Sequence, residues 1–250
     1  MITRLIFFPS ADLERTPRDL GLSYENILFQ VKNNIRLHGW FLPREKPRYA
    51  LLFLHGNAGN ISDRLEKARG WVHRNVSVLL LDYRGYGKSQ GQIKHGDDLI
   101  KDGEAAVKWL CEKKNYSSDQ IILYGESIGA VPAIELASRE KFKAIILEAP
   151  FTYIKELAKK HYGMAPDFML QDFLMDNESK ISGLKSPIFI LHGTEDEVVP
   201  FEMGNRLFQK APAPKQFLAI SGAHHNDITD VGGSDFYEKP FRFVTNELSG

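Results

Sequence analysis

The stretch QIILYGESIGAVPAIE, Gln120 to Glu135, joins an unbroken apolar run to an apolar segment of helix length through Gly125-x-Ser127-x-Gly129. The run does not alternate with period two, which is how a strand buried on both faces reads. A serine at a sharp strand-to-helix turn is held in a strained conformation, and glycines two before and two after it let the neighbouring backbone pass. The first helical turn leaves amide N–H groups unpaired beside the serine, with the positive end of the helix dipole behind them. Pro132 removes a helical hydrogen bond unless it still falls in that first turn.

Five further runs share this character: ALLFLHG from Ala50, SVLLLDY from Ser77, AIILEAP from Ala144, PIFILHG from Pro187 and QFLAISG from Gln216. Each is rich in Ile, Leu, Val and Phe, and all are expected to be strands buried on both faces. Stretches of helix length separate them: SDRLEKARGWVHR, DLIKDGEAAVKWLCEKK, IGAVPAIELASRE and FEMGNRLFQKA. This alternation predicts an α/β architecture, an open and mostly parallel sheet with helices on both faces. Upstream, YENILFQVKNNIRLHGWFLP alternates better and carries Asn33-Asn34 at its middle, which predicts an antiparallel hairpin at the sheet edge.

The length of 250 residues suits one domain over 1–250, without a linker or repeat to divide it. From Phe151 to about Leu184 the chain is too long for a simple crossover and carries Phe151, Tyr153, Ile154, Leu157, Tyr162, Met164, Phe168, Met169, Leu170, Phe173, Leu174 and Met175. Residues 151–184 are read as a small helical cap over an apolar pocket, the other reading being a crossover helix with a long loop packed on the domain. Basic and acidic residues balance at 32 each and are scattered, so no nucleic-acid partner is expected. The single cysteine, Cys111, excludes an intramolecular disulfide and is expected to face the core. No apolar run approaches the roughly 20 residues that span a bilayer. MITRLIFFPS has four consecutive apolar residues before a proline, too few for the core of a signal peptide, so a cytoplasmic location is expected.

A serine hydroxyl becomes a competent nucleophile when an imidazole takes its proton, and that imidazole needs a carboxylate to hold its tautomer and stabilise its charge. In an open α/β sheet these groups belong just past the carboxyl ends of strands. There ILHGTEDEVVP supplies Glu195, Asp196 and Glu197, and SGAHHND supplies His224 and His225, in the chain order serine, acid, histidine. An oxyanion needs a second donor from the loop after the first parallel strand. That loop is HGNAGN, which assigns the amides of Asn57 and Ile128. His55 precedes the glycine turn and is read as structural. A metal site at the double histidine lacks any accompanying ligand spacing.

HGNAGN, LDYRGYGKSQG, GESIGA, EAPFTYI, HGTEDEVVP and HHND, in this order from about Phe8 to Val244, resemble the α/β-hydrolase superfamily. More narrowly they resemble its alpha/beta-hydrolase-domain-containing serine hydrolases, with relatives in bacteria and among eukaryotic protein depalmitoylases. The resemblance implies the α/β-hydrolase fold. Its acid pattern G-x-x-D-x-x-V-P falls on Gly193, Asp196, Val199 and Pro200. Its G-x-G-H-N-D pattern, aligned on the terminal N-D, implies His225 as the base, with His224 where glycine is usual; alignment on a plain G-x-H would choose His224. Asp82 and Arg84 are read as bonding within their loop. Some family members carry an apolar anchor before the equivalent of FFPS; none is read here, so the resemblance does not carry membrane attachment over to this sequence, and no integral membrane segment is expected.

The expected activity is cleavage of carboxylic esters of short to medium acyl chains through an acyl-enzyme on Ser127, His225 and Asp196, with a small-molecule or acylated substrate and no cofactor. A thioesterase or acyl-protein depalmitoylase, or an aminopeptidase, would use the same residues. A catalytically silent binding module would keep the fold alone.

Overall fold

The computed structural model describes residues 6–31, 34–163 and 171–245, apart from the side chains of Tyr162 and Gln171. Ten strands occur among them: β1 (Phe8–Pro9), β2 (Glu25–Gln30), β3 (Arg36–Leu42), β4 (Ala50–Leu54), β5 (Ala58–Gly59), β6 (Ser77–Leu81), β7 (Ile121–Glu126), β8 (Ala144–Glu148), β9 (Ile188–Gly193) and β10 (Lys215–Ile220). Eight of these form one sheet in the order β10-β9-β8-β7-β4-β6-β3-β2. From β6 to β10 every neighbouring pair is parallel, whereas β2 and β3 form the antiparallel hairpin at the edge. Asn33 of that hairpin's turn lies outside the described residues. The short β1–β5 pair stands apart from the main sheet, and nothing in the sequence pattern announces it.

Alternate residues of the same strands face two separate cores. Leu52, Leu54, Leu123 and Leu147 pack on one face with Leu99 and Leu110 of α2 (Gly96–Lys114), Val131 and Ile134 of α3 (Ala130–Arg139) and Leu207 of α6 (Phe201–Lys210). Leu51, Phe53, Tyr124 and Ile146 pack on the other with Leu65 and Trp71 of α1 (Leu65–Val72), Ile228 of α7 (Ile228–Gly232) and Phe236 of α8 (Asp235–Thr245). Apolar side chains on both faces explain why these strands show no alternation in sequence. Each fully buried aliphatic side chain contributes about 2 kcal/mol.

Two expectations need correction. QFLAISG does not form a strand buried on both faces: β10 is the far edge of the sheet, with its first five residues half-buried or exposed. Neither the Asp82 nor the Arg84 side chain bonds within its loop: the Asp82 carboxylate accepts from the Ile61 amide and meets His38 of β3, and the Arg84 guanidinium reaches Asp98 and Asp102 of α2. Cys111 is half-buried and packs against the first core.

Within 151–184 the described elements are α4 (Ile154–Tyr162), a 3-10 turn (Gln171–Phe173) and α5 (Glu178–Ile181), with an antiparallel bridge between Tyr153 and Asp176 ahead of the two helices. Phe151, Ile154, Phe173 and Met175 are buried and Leu174 is exposed; Met164, Phe168, Met169 and Leu170 lie outside the described residues. No helix of the described residues is long and apolar enough to cross a membrane.

Candidate active site

Because β4, β7, β8, β9 and β10 are parallel and in close register, their carboxyl ends lie along one edge. Leu54 pairs with Gly125, Glu126 with Glu148, Glu148 with Leu191, and Gly193 with Ile220. The segments that follow these strands carry Asn57, Ser127, Asp196 and His225.

Ser127 follows β7 at φ +52°, a left-handed conformation that a residue with a side chain adopts only under strain. The turn is tight enough to exclude side chains at its flanks. A Cβ on Gly125 would lie 2.6 Å from the carbonyl oxygen of Gly129, and one on Gly129 would lie 2.0 Å from that of Leu54. A single 3-10 turn, Ser127–Gly129, leads directly into α3, and Pro132 is the third residue of that helix. It therefore sits in the first turn, where its missing N–H removes no helical bond. Ile128, buried, belongs to the same turn, where amides lack intrahelical acceptors.

The second expected donor, Asn57, follows β4 in the loop that β5 pairs against β1. Its carbonyl accepts from the Tyr86 hydroxyl at 2.7 Å and from the Phe8 amide at 3.4 Å, while its own amide bonds to no acceptor among the described residues. Asn60 closes the loop. Its side chain accepts from Ser62 N at 2.8 Å and donates to the Asp12 carbonyl at 2.7 Å.

Asp196 and His225 are in contact, with His225 Nδ1 2.7 Å from Asp196 Oδ2. The other carboxylate oxygen accepts from the amides of Val198 at 2.9 Å and Val199 at 2.7 Å. His192, wholly buried in β9, adds a partner that sequence reasoning missed: its Nε2 lies 3.4 Å from Asp196 Oδ2 and 2.9 Å from the Val199 carbonyl. Burial alone would raise the Asp196 carboxyl, but hydrogen bonds from His192 and His225 and the charge of His225 outweigh it. The group is held well below the usual carboxylate range. For His225, burial disfavours the imidazolium, yet the hydrogen bond and charge of Asp196, helped by Glu126 and Glu148, raise its pKa. No hydrogen bond joins Ser127 Oγ to His225 among the described residues.

His224 points elsewhere. Half exposed, it lies 3.2 Å from Glu197 and 3.8 Å from Glu195, both of them exposed. His55 is wholly buried, with Nδ1 2.7 Å from the Gly56 carbonyl; burial first, and then the charge of Arg64, push its pKa down to about 4. Among the described residues no cluster of three or more His, Cys, Asp and Glu could hold a metal.

A second feature escaped the sequence reading. Arg64, Glu126, Lys67 and Glu148 form an alternating line of charges beside Ser127, with contacts of 3.0 Å, 3.2 Å and 2.6 Å, ending on the Tyr124 hydroxyl. Its members are 59 to 81 residues apart across each contact, so no local pattern marks it.

The protein family described as serine aminopeptidase, S33 matches residues 45–171. Alpha/beta hydrolase domain-containing protein 17B of Homo sapiens is 37% identical over 208 residues, spanning 80% of this chain and 68% of that one. An uncharacterised protein of Mycobacterium tuberculosis is 32% identical over 247 residues, 97% of this chain and 86% of that one. Among solved structures, an esterase of Pyrococcus furiosus superposes with a TM-score of 0.82 at 22% identity, covering 96% of this chain and 98% of that one. The hydrolase GrgF from Penicillium does so at 0.75 and 17%, covering 92% and 100%. These two likenesses speak of the fold; the matched family and the two relatives speak of descent. The chain belongs to the α/β-hydrolase superfamily and is a hydrolase of that fold.

Proposed function

We propose that the protein is a serine hydrolase that cleaves carboxylic esters of short to medium acyl chains through an acyl-enzyme. The observation that carries this reading is the left-handed backbone of Ser127, stationed between a buried strand and a helix N-terminus on the edge that also holds the Asp196–His225 pair. In the proposed reaction Ser127 Oγ attacks the acyl carbon and its proton passes to His225 Nε2. Asp196, bonded to Nδ1, stabilises the resulting imidazolium. The amides of Asn57 and Ile128 receive the oxyanion. Collapse expels the alkoxide with the proton from His225. Water then repeats the sequence, and His225 returns the proton to Ser127 as the acid leaves.

Residues 151–184 act in this reading as the cap that selects the acyl chain, on the strength of their apolar content and their place after β8. Each methylene accommodated contributes up to about 0.8 kcal/mol. A cytoplasmic setting belongs to the same reading, in keeping with the lone Cys111. Amide cleavage is the second reading, favoured by the description of the matched family as a serine aminopeptidase.

The test is hydrolysis of p-nitrophenyl esters from acetyl to octanoyl, beside matched thioesters and aminoacyl anilides, with parent and Ser127→Ala proteins and a fluorophosphonate probe. Ester turnover that rises with chain length and falls a thousandfold or more, about 4 kcal/mol, in Ser127→Ala is expected. Unchanged turnover in the purified variant would sink the assignment, and a preference for anilides would move it to peptidase.

A further inference from the structure

The two proposed oxyanion donors come from separate segments, Asn57 from the loop after β4 and Ile128 from the turn after β7. Stabilisation of a tetrahedral intermediate depends on the distance between such donors to within about 0.5 Å. Arg64 touches both segments. Its Nη1 donates to the Ala58 carbonyl at 2.8 Å and more distantly to that of Asn60 at 3.4 Å, and its Nη2 donates to Glu126 Oε1 at 3.0 Å. Glu126 immediately precedes Ser127. The pair also lies against Gly56, the residue before Asn57: a Cβ there would fall 2.7 Å from Glu126 Oε1 and 3.3 Å from Arg64 Nη2.

We propose that Arg64 is a positioning residue, one that sets the spacing of the Asn57 and Ile128 amides by joining their two segments through its planar fork. The proposal rests on the serine-hydrolase reading above. Stability alone is a weak reason for such an arrangement, since buried ion pairs are commonly no better than apolar side chains of the same volume. Geometry is the better reason. A guanidinium holds two acceptors at fixed angles, which an ammonium cannot do. Lys67 supports the carboxylate from the other side, at 3.2 Å from Glu126 Oε2, and is itself held by Glu148 at 2.6 Å. Burial opposes ionisation of Glu126, and the two cations more than offset it, so the carboxylate stays charged and the fork stays engaged.

The experiment compares parent, Arg64→Met, Arg64→Lys, Glu126→Gln and the Arg64→Met/Glu126→Gln double variant on a p-nitrophenyl ester. It adds the affinity of a boronic acid that forms a tetrahedral adduct on the serine. Removing an oxyanion donor outright costs roughly a hundredfold to a thousandfold in kcat. Misplacing one should cost Arg64→Met about 30-fold in kcat, with KM within about threefold. For Arg64→Met, boronate affinity should fall in step with kcat/KM, and the acid limb of the pH profile should stay where it is, because Asp196, His225 and the Glu126 carboxylate that helps raise His225 are all retained. Arg64→Lys, which keeps charge but not the fork, should recover little, and the double variant should lose no more than the worse single one. Arg69→Met, which removes a half-exposed cation of α1, just beyond Arg64 and paired with Glu66 at 2.7 Å, should behave as the parent.

A folded Arg64→Met with parental kcat and boronate affinity overturns the proposal. So does a loss confined to KM, or one that follows a shift of the acid limb. If Arg64→Met does not fold, Glu126→Gln, which preserves side-chain shape, decides by kcat and boronate affinity on the alkaline plateau where His225 is neutral; its acid limb is left out of the comparison, because the Glu126 charge itself helps to raise His225. A parent inert toward esters and the fluorophosphonate overturns the hydrolase reading and this inference together, whereas an active parent insensitive to Arg64 overturns the inference alone.

Discussion

Two carboxylates at the crest, Asp82 and Asp196, each stand just past the end of a parallel strand and each face two histidines. Around Asp82, Oδ1 accepts from the Ile61 amide at 2.9 Å, Oδ2 lies 3.2 Å from His38 Nδ1, and His55 is 3.9 Å away; all three side chains are wholly buried. The far nitrogen of His38 is also engaged, 2.8 Å from Asn26 Oδ1. Around Asp196, His192 is equally enclosed, but the His225 side chain retains 14% exposure and only its Nδ1 is engaged by a protein side chain. A histidine–aspartate contact therefore says little by itself. One becomes equipped for proton transfer when the second nitrogen is left for another partner at an open edge; the other, sealed and with both His38 nitrogens engaged, organises a loop.

If that contrast is right, substitutions at the two sites should separate activity from stability. His225→Ala should lower kcat on the order of ten-thousandfold, about 5.5 kcal/mol, with a melting temperature within a few degrees of the parent. Asp196→Asn should come close to it by disturbing the imidazole tautomer. Steady-state kinetics beside thermal denaturation measure both, and a variant that loses stability in proportion to activity would erase the distinction.

Asp82→Ala should do the reverse. It strands the Ile61 amide and His38 in a dry interior and should cost about 3 kcal/mol in urea unfolding, while the folded fraction keeps near-parental kcat. A large kcat loss without destabilisation would place Asp82 in the chemistry after all.

The pH dependence sharpens the comparison further. His225 acts as a base when neutral, and Asp196 raises its pKa, so kcat/KM should fall on acidification with a midpoint above the ordinary histidine value of about 6.5. In the stability ledger, the raised His225 contributes fully below about 6.5 and its share is lost as pH rises through its folded pKa. The depressed Asp196 contributes above about 4 and its share is lost as pH falls through its folded pKa. The stability difference between parent and Asp196→Asn should thus be widest between about pH 4 and 6.5. A difference that does not vary with pH would mean that the pair is not coupled.

The smallest effect is expected beside the largest. His224→Ala should cost no more than about tenfold in kcat, through the loop contacts of His224 with Glu195 and Glu197. Exchange of behaviour between His224→Ala and His225→Ala would reverse the assignment of the base.

The central strands were legible because burial on both faces demands unbroken Ile, Leu and Val, and the runs from Ala50, Ser77, Gln120, Ala144 and Pro187 all appear as strands where that composition predicts them. The run from Gln216 misled in part. An edge strand can carry the same apolar letters, and which strand lies at an edge depends on chain topology, not on local composition. The tight turn at Ser127 was readable from the spacing of its glycines, although the carbonyls that exclude a Cβ there, those of Gly129 and of Leu54 on β4, come together only in the fold.

Local chemistry in the sequence thus determined the layered fold, the strained serine turn and the edge on which chemistry would gather, since backbone sterics and apolar periodicity act over a few residues. Tertiary structure set His225, the histidine that alignment on the N-D ending implies, against Asp196, where alignment on a plain G-x-H points to His224. It also decided that Arg84 reaches across to α2, that His192 backs the acid, and that Arg64 and Lys67 are threaded between Glu126 and Glu148. Hydrogen bonds and ion pairs form across space between residues as far as 81 positions apart, and their partners are set by how strands and helices are stacked, which no short window of sequence encodes.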